Sequence, residues 1–187
     1  MKVVQIRGSN GAGKTTIVKQ FVQKNKLEIQ EINIDGIPTY ISTNKGNAIV
    51  VLGRYDKKFG GCDLFQNTNH VLKTILWVIV NLKPQLIVFE GMIYSLSYKF
   101  ATKVSDIVKK YNYEYLALSL YVDLEVALDR IYKRNGGKLI KENLIYDKIK
   151  TVKKSHDKLL NTGYVSKLAD TTKIKENEMY KILEEVI

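Results

Sequence analysis

The chain has 187 residues, of which 30 are Lys or Arg and 19 are Asp or Glu, so its formal net charge is +11. This length fits one domain with a buried core, and the apolar share of 45% with a charged share of 26% excludes wholesale disorder. The longest apolar run, residues 74–82, is too short to cross a bilayer, and the single Cys62 excludes an internal disulfide.

The predicted elements begin with a buried strand at residues 2–7, which is rich in β-branched residues and leads into a glycine-rich turn. A helix follows, because apolar residues recur at helical spacing after Lys14. Residues 28–35 are predicted to form a second strand. Residues 39–43 and 47–53 are predicted to form a β-hairpin around a Lys-Gly turn.

The rest of the chain alternates helices with strands. Helices are predicted at residues 63–82, 96–111 and 123–135, then in a basic segment around residues 145–160, and from about residue 175. Strands are predicted at residues 85–91, 115–122 and 164–168. This alternation predicts an α/β fold of three layers, with a five-stranded parallel sheet, helices on both faces and a β-hairpin insertion. Without a linker or repeat, residues 1–187 are expected to form a single domain.

The cellular location and the class of partner follow from the same features. The opening residues MKVVQI enter a strand pattern at once, which leaves no room for a signal peptide. We therefore expect a cytoplasmic protein without a membrane partner. The positive charge suits a polyanion, either nucleic acid or the phosphates of a nucleotide. Solubility alone explains the same charge equally well.

A phosphate-binding loop is the most specific motif in the chain. The stretch GSNGAGKT matches the P-loop pattern of Gly8, four residues, Gly13, Lys14 and Thr15. Its backbone N–H groups and the following helix N-terminus attract phosphate, while Lys14 reaches the β and γ oxygens and Thr15 ligates Mg²⁺. The predicted ATP-binding residues are Gly8, Ser9, Asn10, Gly11, Ala12, Gly13, Lys14, Thr15 and Thr16.

Two further features are expected beside this loop. Glu90 ends the apolar strand of residues 85–91, where a carboxylate would hold Mg²⁺ together with Thr15, although a plain surface Glu is the alternative. Arg130 and Arg134 lie one helical turn apart in DRIYKRNGG. They resemble the lid arginines of nucleotide and nucleoside kinases, which implies a small lid at about residues 130–145 that clamps the transferred phosphoryl group. Two arginines without a role on a helix surface are the alternative.

Two regions are candidates for the acceptor. Asp35 ends the second strand and is predicted to be the catalytic base that an alcohol acceptor needs, with a simple Asp-Gly turn as the alternative. The segment LGRYDKKFGGCDLF leaves a strand at the edge where open α/β sheets bind ligands. In this segment Tyr55 is expected to stack on a base, Arg54 to contact phosphate and Asp63 to accept a hydrogen bond from a base edge. The predicted acceptor-binding residues are Arg54, Tyr55, Gly60, Gly61 and Asp63.

Together these motifs resemble the P-loop kinases that act on thymidylate, deoxynucleosides and polynucleotides, and the resemblance covers nearly the whole chain. The stretch GRYDKKFGGCD, with the P-loop and FEG, is similar to bacteriophage kinases that phosphorylate 5-hydroxymethyluracil within DNA. This resemblance implies ATP and Mg²⁺ as cofactors, DNA containing 5-hydroxymethyluracil as partner, and a place in host cytoplasm during DNA base hypermodification.

Two other functions remain open on the sequence. One is a kinase of free deoxynucleosides or deoxynucleoside monophosphates, in which Arg54 would clamp the acceptor phosphate. The other is a nucleotide-binding regulator or ATPase that transfers nothing. If DNA is the acceptor, lysines near the site are expected to follow its backbone, and a solvated helix face is the alternative. These lysines are Lys57, Lys58, Lys148, Lys150, Lys153, Lys154 and Lys158.

Overall fold

A computed structural model of the protein describes residues 1–56, 61–91, 96–138 and 140–187. In these ranges seven strands form one sheet: β1 (Lys2–Gly8), β2 (Glu28–Ile34), β3 (Ile37–Thr43), β4 (Ile49–Leu52), β5 (Leu86–Glu90), β6 (Glu114–Tyr121) and β7 (Ser166–Asp170). The helices in the same ranges are α1 (Lys14–Lys24), α2 (Thr68–Asn81), α3 (Tyr98–Lys109), α4 (Leu124–Arg134), α5 (Glu142–Asn161) and α6 (Tyr180–Glu184), with 3₁₀ turns at Gly61–Leu64 and Glu176–Glu178. Within the described part of the chain, none of these helices has the length and apolar character of a membrane span.

The strands are ordered β2-β3-β4-β5-β1-β6-β7 across the sheet. Strands β4, β5, β1, β6 and β7 are parallel, whereas β2 and β3 extend one edge in antiparallel pairing. The predicted α/β fold is confirmed, but the described sheet has seven strands rather than five. The strand of residues 28–35 is the edge strand β2, and β4 of the predicted hairpin lies beside β5 instead.

The sheet is covered on both faces because successive side chains of a strand point to opposite sides. Val4 and Ile6 of β1 pack against one apolar cluster with residues of α1, α4 and α6. Val3 packs against the other cluster, with residues of α2 and α3. Strand β5 is buried along its whole length, as expected for a central parallel strand. Its last residue, Glu90, pairs in register with Ile6, so it lies just below the loop that follows β1.

Helix starts depend on local capping, which corrects one prediction. The helix expected from residue 63 begins at Thr68, because the Asn67 side chain caps it by accepting a hydrogen bond from the His70 N–H at 3.0 Å. Asp63 instead lies in the Gly61–Leu64 turn. At α4, Asp123 has the N-cap position, but its carboxylate accepts a hydrogen bond from the Tyr121 hydroxyl at 2.6 Å and makes no cap bond.

Candidate active site

The P-loop between β1 and α1 holds its lysine inward. Lys14 is only 7% exposed, and its ammonium donates hydrogen bonds of 2.9 Å to the carbonyls of Gly8 and Ser9. Burial lowers the pKa of Lys14, whereas the carboxylates of Glu90 and Asp63 raise it. The ammonium is therefore held at the inner surface of the loop, where a phosphate oxygen can exchange with one of the two carbonyls.

Glu90 lies against the first turn of α1. The hydroxyl of Thr15 donates a hydrogen bond of 3.1 Å to Glu90 Oε1. Glu90 is 1% exposed, and burial raises its pKa to about 7 against the opposing charge of Lys14. A hydroxyl and a carboxylate in contact are hard oxygen donors of the kind that Mg²⁺ takes in phosphoryl-transfer sites. The residues at this position thus fit a magnesium ion, which Thr15 and Glu90 would hold.

The loop after β4 turns back onto Glu90 through two glycines. A Cβ atom added to Gly53 would lie 2.6 Å from the Gly61 backbone, and one added to Gly61 would lie 2.6 Å from Glu90 Oε1. Gly61 has φ +73°, which favours glycine. In this close packing Cys62 is 0% exposed and lies beside Glu90. Asp63, the next residue along the chain, is exposed. Of the predicted acceptor residues, Gly60 lies outside the described residues.

Asp63 is the second carboxylate at this centre. Its negative charge raises the pKa of both Lys14 and Glu90, and the Gly61–Leu64 turn that carries it packs against the end of β5. The side chain itself is exposed, so it faces solvent rather than the protein core. An exposed carboxylate near Lys14 and the Thr15–Glu90 oxygen pair can accept a proton from an incoming hydroxyl group.

Arg54 and Tyr55, predicted to bind the acceptor together, have side chains in different surroundings. Tyr55 is 6% exposed and packs in the core, where burial and nearby Glu90 raise its pKa well above the usual value. A buried ring has no free face for a nucleobase, so the predicted stacking is not supported. Arg54 points the other way: it forms hydrogen bonds of 2.8 and 2.5 Å with Asp56 and lies 4.8 Å above the Tyr40 ring.

Asp35 lies far from the P-loop. It ends β2, which runs in the direction of the parallel strands, so it is at the same edge of the sheet as predicted. However, β3, β4 and β5 separate β2 from β1, a distance of about 19 Å at about 4.8 Å per strand. Its exposed carboxylate forms an ion pair with Lys73. Its role as a base stays a prediction, and the residues that converge on the P-loop do not include it.

The two lid arginines have different environments. Arg130 donates hydrogen bonds to the carbonyl of Gly11 at 3.2 Å and of Thr171 at 2.8 Å, so it ties α4 to the back of the P-loop. Arg134 is exposed, and its positive charge lowers the pKa of Lys14. Of the two arginines, Arg134 is thus the one not tied to the P-loop by the hydrogen bonds that hold Arg130.

Lys148 of α5 lies beside the P-loop, although the sequence pattern placed it among the lysines expected to follow DNA. Its ammonium donates a hydrogen bond of 3.3 Å to the Asn10 side chain, and its charge lowers the pKa of Lys14. Its position one turn before the buried Val152 was the only signal in the sequence that it faces inward.

Three other lysines of α5 each lie over a tyrosine ring. The ammonium groups of Lys150, Lys153 and Lys158 lie over the rings of Tyr146, Tyr121 and Tyr98, at 4.3, 4.0 and 4.4 Å. These tyrosines belong to α5, β6 and α3 respectively, and the use of the lysines by DNA stays a prediction. Lys57 and Lys58 lie outside the described residues.

The segment after β7 closes the P-loop from behind. Thr171 is fully buried, and its hydroxyl lies within hydrogen-bonding distance of two carbonyls, that of Ala12 at 3.2 Å and that of Tyr121 at 3.0 Å. This contact fixes the loop from the side opposite to Glu90. The site thus combines a rigid anion-binding loop, an oxygen pair suited to a divalent cation and an exposed carboxylate, which together suit phosphoryl transfer.

Comparison with known proteins agrees with this chemistry. The family model for 5-hmdU DNA kinases matches residues 2–179 of the chain. The 5-hmdU DNA kinase of Bacillus phage SP10 is 32% identical over 189 residues, which cover 94% of this chain but only 28% of that protein. The 5-hmdU DNA kinase of Pseudomonas phage M6 is 29% identical over 168 residues, covering 87% of this chain and 88% of that protein.

A solved structure supports the fold. The tunicamycin resistance protein of Deinococcus radiodurans has a TM-score of 0.52 to this chain at 14% sequence identity, over 99% of this chain and 95% of that one. At this level of identity the likeness concerns the architecture alone.

Proposed function

The chain belongs to the 5-hmdU DNA kinase family, and from this membership we propose that it transfers the γ-phosphoryl group of ATP to the hydroxymethyl oxygen of 5-hydroxymethyluracil in DNA. The observation that carries the proposal is the convergence of Lys14, Thr15, Glu90 and Asp63 at the carboxyl ends of the adjacent strands β1 and β5. Phosphoryl transfer to an alcohol needs a phosphate cradle, oxygen ligands for magnesium and a base, and these four residues supply them.

The donor half of the site binds the triphosphate. The backbone N–H groups of the P-loop and the ammonium of Lys14 would bind the β and γ phosphates. Thr15 and Glu90 would hold Mg²⁺, which neutralises charge on the phosphate oxygens. Arg134 and Lys148 add positive charge in the surroundings of Lys14, which would favour the bound phosphates.

The acceptor half needs a base. Asp63 takes the proton of the hydroxymethyl group while the hydroxymethyl oxygen forms a bond to the γ phosphorus. The bond from that phosphorus to the β–γ bridging oxygen breaks, and ADP leaves with the electron pair. We assign this role to Asp63 rather than Asp35, because only Asp63 is close enough to affect the charge state of Lys14 and Glu90.

The test is transfer of label from [γ-³²P]ATP with Mg²⁺ to three acceptors: an oligonucleotide with one 5-hydroxymethyluracil, the same oligonucleotide with thymine, and free 5-hydroxymethyl-2′-deoxyuridine. We expect label only in the first, and none with the Lys14→Ala variant. Label confined to the free nucleoside would instead establish a nucleoside kinase. Phosphate release without a labelled acceptor would establish an ATPase, and either result overturns the proposal.

A further inference from the structure

A groove runs along the outer part of the sheet, beside the proposed active site. Two cavities of about 480 and 680 Å³ lie at the carboxyl edge of the strands and share the lining residues Ile37, Gln66 and His70. They are formed between strand β3 and the segment that leads into α2. We call the two together the outer groove. Each cavity has a volume typical of a small-ligand site, about 300–1,000 Å³.

The floor of the outer groove is fixed by a chain of hydrogen bonds. The Gln66 N–H donates to His70 Nδ1 at 3.4 Å, so Nε2 carries the proton and donates to the Thr39 hydroxyl at 2.7 Å, which donates to the Ile37 carbonyl at 3.1 Å. Burial lowers the pKa of His70, which favours the neutral ring. The His70 ring stacks on Phe65 with centroids 4.9 Å apart. The groove is therefore preformed.

One end of the groove suits a nucleobase. Its walls are the half-buried Tyr40 ring, the Arg54 guanidinium above that ring, and Leu64, which is 52% exposed. Aromatic and apolar side chains beside an arginine are the usual surroundings of an unstacked base, which binds them through its flat faces.

The other end suits phosphate. It is lined by two lysines, Lys73 and Lys103, and by Asn67, Asn69 and the single acid Asp35. Lys73 is paired with Asp35, but both side chains are about 60% exposed, and ion pairs at such exposure contribute little. A phosphodiester could therefore take Lys73 over at small cost, and Lys103 is exposed on α3.

The groove and the proposed reaction centre are linked through two glycines. Gly53 lines the groove and touches Gly61, which in turn touches Glu90. The reacting base cannot lie in the groove, because the Gly61–Leu64 turn stands between the groove and Glu90. A neighbouring nucleotide of the same strand can.

We propose that the outer groove binds the unpaired DNA strand next to the reacting nucleotide, with a flanking base between Tyr40 and Leu64 and a flanking phosphate at Lys73 and Lys103. This inference rests on the proposed function and adds to it a reason why the acceptor is a polynucleotide. A free nucleoside has no flanking residue to place there.

The test uses a fluorescein-labelled single-stranded oligonucleotide that contains thymine only, so binding is measured without reaction. Lys103→Glu reverses a charge in the groove, and Lys45→Glu makes the same change in the β3–β4 turn at the opposite edge of the sheet. By fluorescence anisotropy we expect Lys103→Glu to raise Kd about tenfold and to lower the slope of log Kd against log salt by about one. Lys45→Glu should change Kd less than twofold. Equal weakening by both variants would show that net charge alone acts, and the proposal would fall.

A second measurement locates the flanking base. Photocrosslinking with 5-iodouracil next to the target position should label the tryptic peptide of residues 27–45, which contains Tyr40. Label confined to other peptides would overturn the placement. The outcomes also separate the two proposals: groove binding without transfer to 5-hydroxymethyluracil refutes the function alone, and transfer with no difference between the two charge variants refutes the groove alone.

Discussion

Replacement of Gly61 by alanine tests the contact on which the proposed active site depends. Gly61 has φ +73°, and an added methyl group would lie 2.6 Å from Glu90 Oε1 and 2.9 Å from the Tyr55 hydroxyl. Glu90 and Tyr55 are 1% and 6% exposed, so neither can swing into solvent. The methyl group must therefore displace Glu90 from Thr15 or move the loop that carries Asp63.

The expected magnitude has two parts. A left-handed backbone costs a residue with a Cβ about 1–2 kcal/mol, and overpacking a buried site costs about 1–3 kcal/mol more. We expect Gly61→Ala to lower the free energy of unfolding by about 3 kcal/mol. Gly36→Ala is the matched control, since Gly36 has φ +82° but a Cβ there meets nothing within 4 Å. It should lose only the backbone part, about 1 kcal/mol.

Urea unfolding of both variants measures the stability loss, and calorimetric titration with a non-hydrolysable ATP analogue and Mg²⁺ measures the functional loss. Gly61→Ala should bind the analogue at least tenfold more weakly, because its Glu90–Thr15 pair is disturbed, whereas Gly36→Ala should bind it as the parent does. Equal destabilisation of the two variants together with unchanged binding would refute the packing of the loop against Glu90.

Three further predictions concern charged side chains of the site. Because burial raises the Glu90 pKa to about 7 from an ordinary 4.5, the folded state without Mg²⁺ loses about 3 kcal/mol of stability as pH rises through this interval. In urea unfolding with EDTA, Glu90→Gln should therefore have a higher free energy of unfolding than the parent at pH 8 and the same one at pH 4. Equal free energies at pH 8 would count against this cost of burying the charged carboxylate. Arg130→Ala should lower the melting temperature, because of the two arginines only Arg130 ties the P-loop to the segment after β7. Arg134→Ala should lower kcat and leave the melting temperature unchanged. Similar losses of melting temperature in the two variants would contradict this difference. Asp63→Asn should lower kcat at least 100-fold with ATP affinity retained, whereas Asp35→Asn should keep near-parental turnover, and the reverse result would restore Asp35 as the base.

The features that the sequence predicted well are those set by short spacings. The P-loop between a strand and a helix, and Glu90 at the end of an apolar strand, follow from residues that are neighbours in the chain. The family and the α/β fold, which were predicted from the same motifs, are both confirmed. The contact between Thr15 and Glu90 follows as well, because parallel neighbours β1 and β5 end at the same edge.

The features that the sequence did not predict depend on long-range order. No local pattern tells that β4 rather than β2 lies next to β5, and this order alone removes Asp35 from the P-loop by three strands. The helix expected from Asp63 was a plausible extension of the apolar pattern, but the Asn67 cap starts it at Thr68, five residues later. Tyr55 was expected at a ligand because it follows a strand, yet the loop turns its ring into the core.

The segment between β4 and α2 explains both proposals by one geometric fact. Gly53 lies against Gly61, and Gly61 lies against Glu90, so both ends of this segment are held beside the end of β5. Asp63 is carried toward Lys14, while Arg54 and Leu64 line the outer groove. A DNA strand bound in that groove would thus be fixed by the same turn that holds the proposed base. Correct placement of the flanking nucleotide and of the proton acceptor would then depend on one structural element, which gives a polynucleotide acceptor an advantage that added affinity alone would not supply.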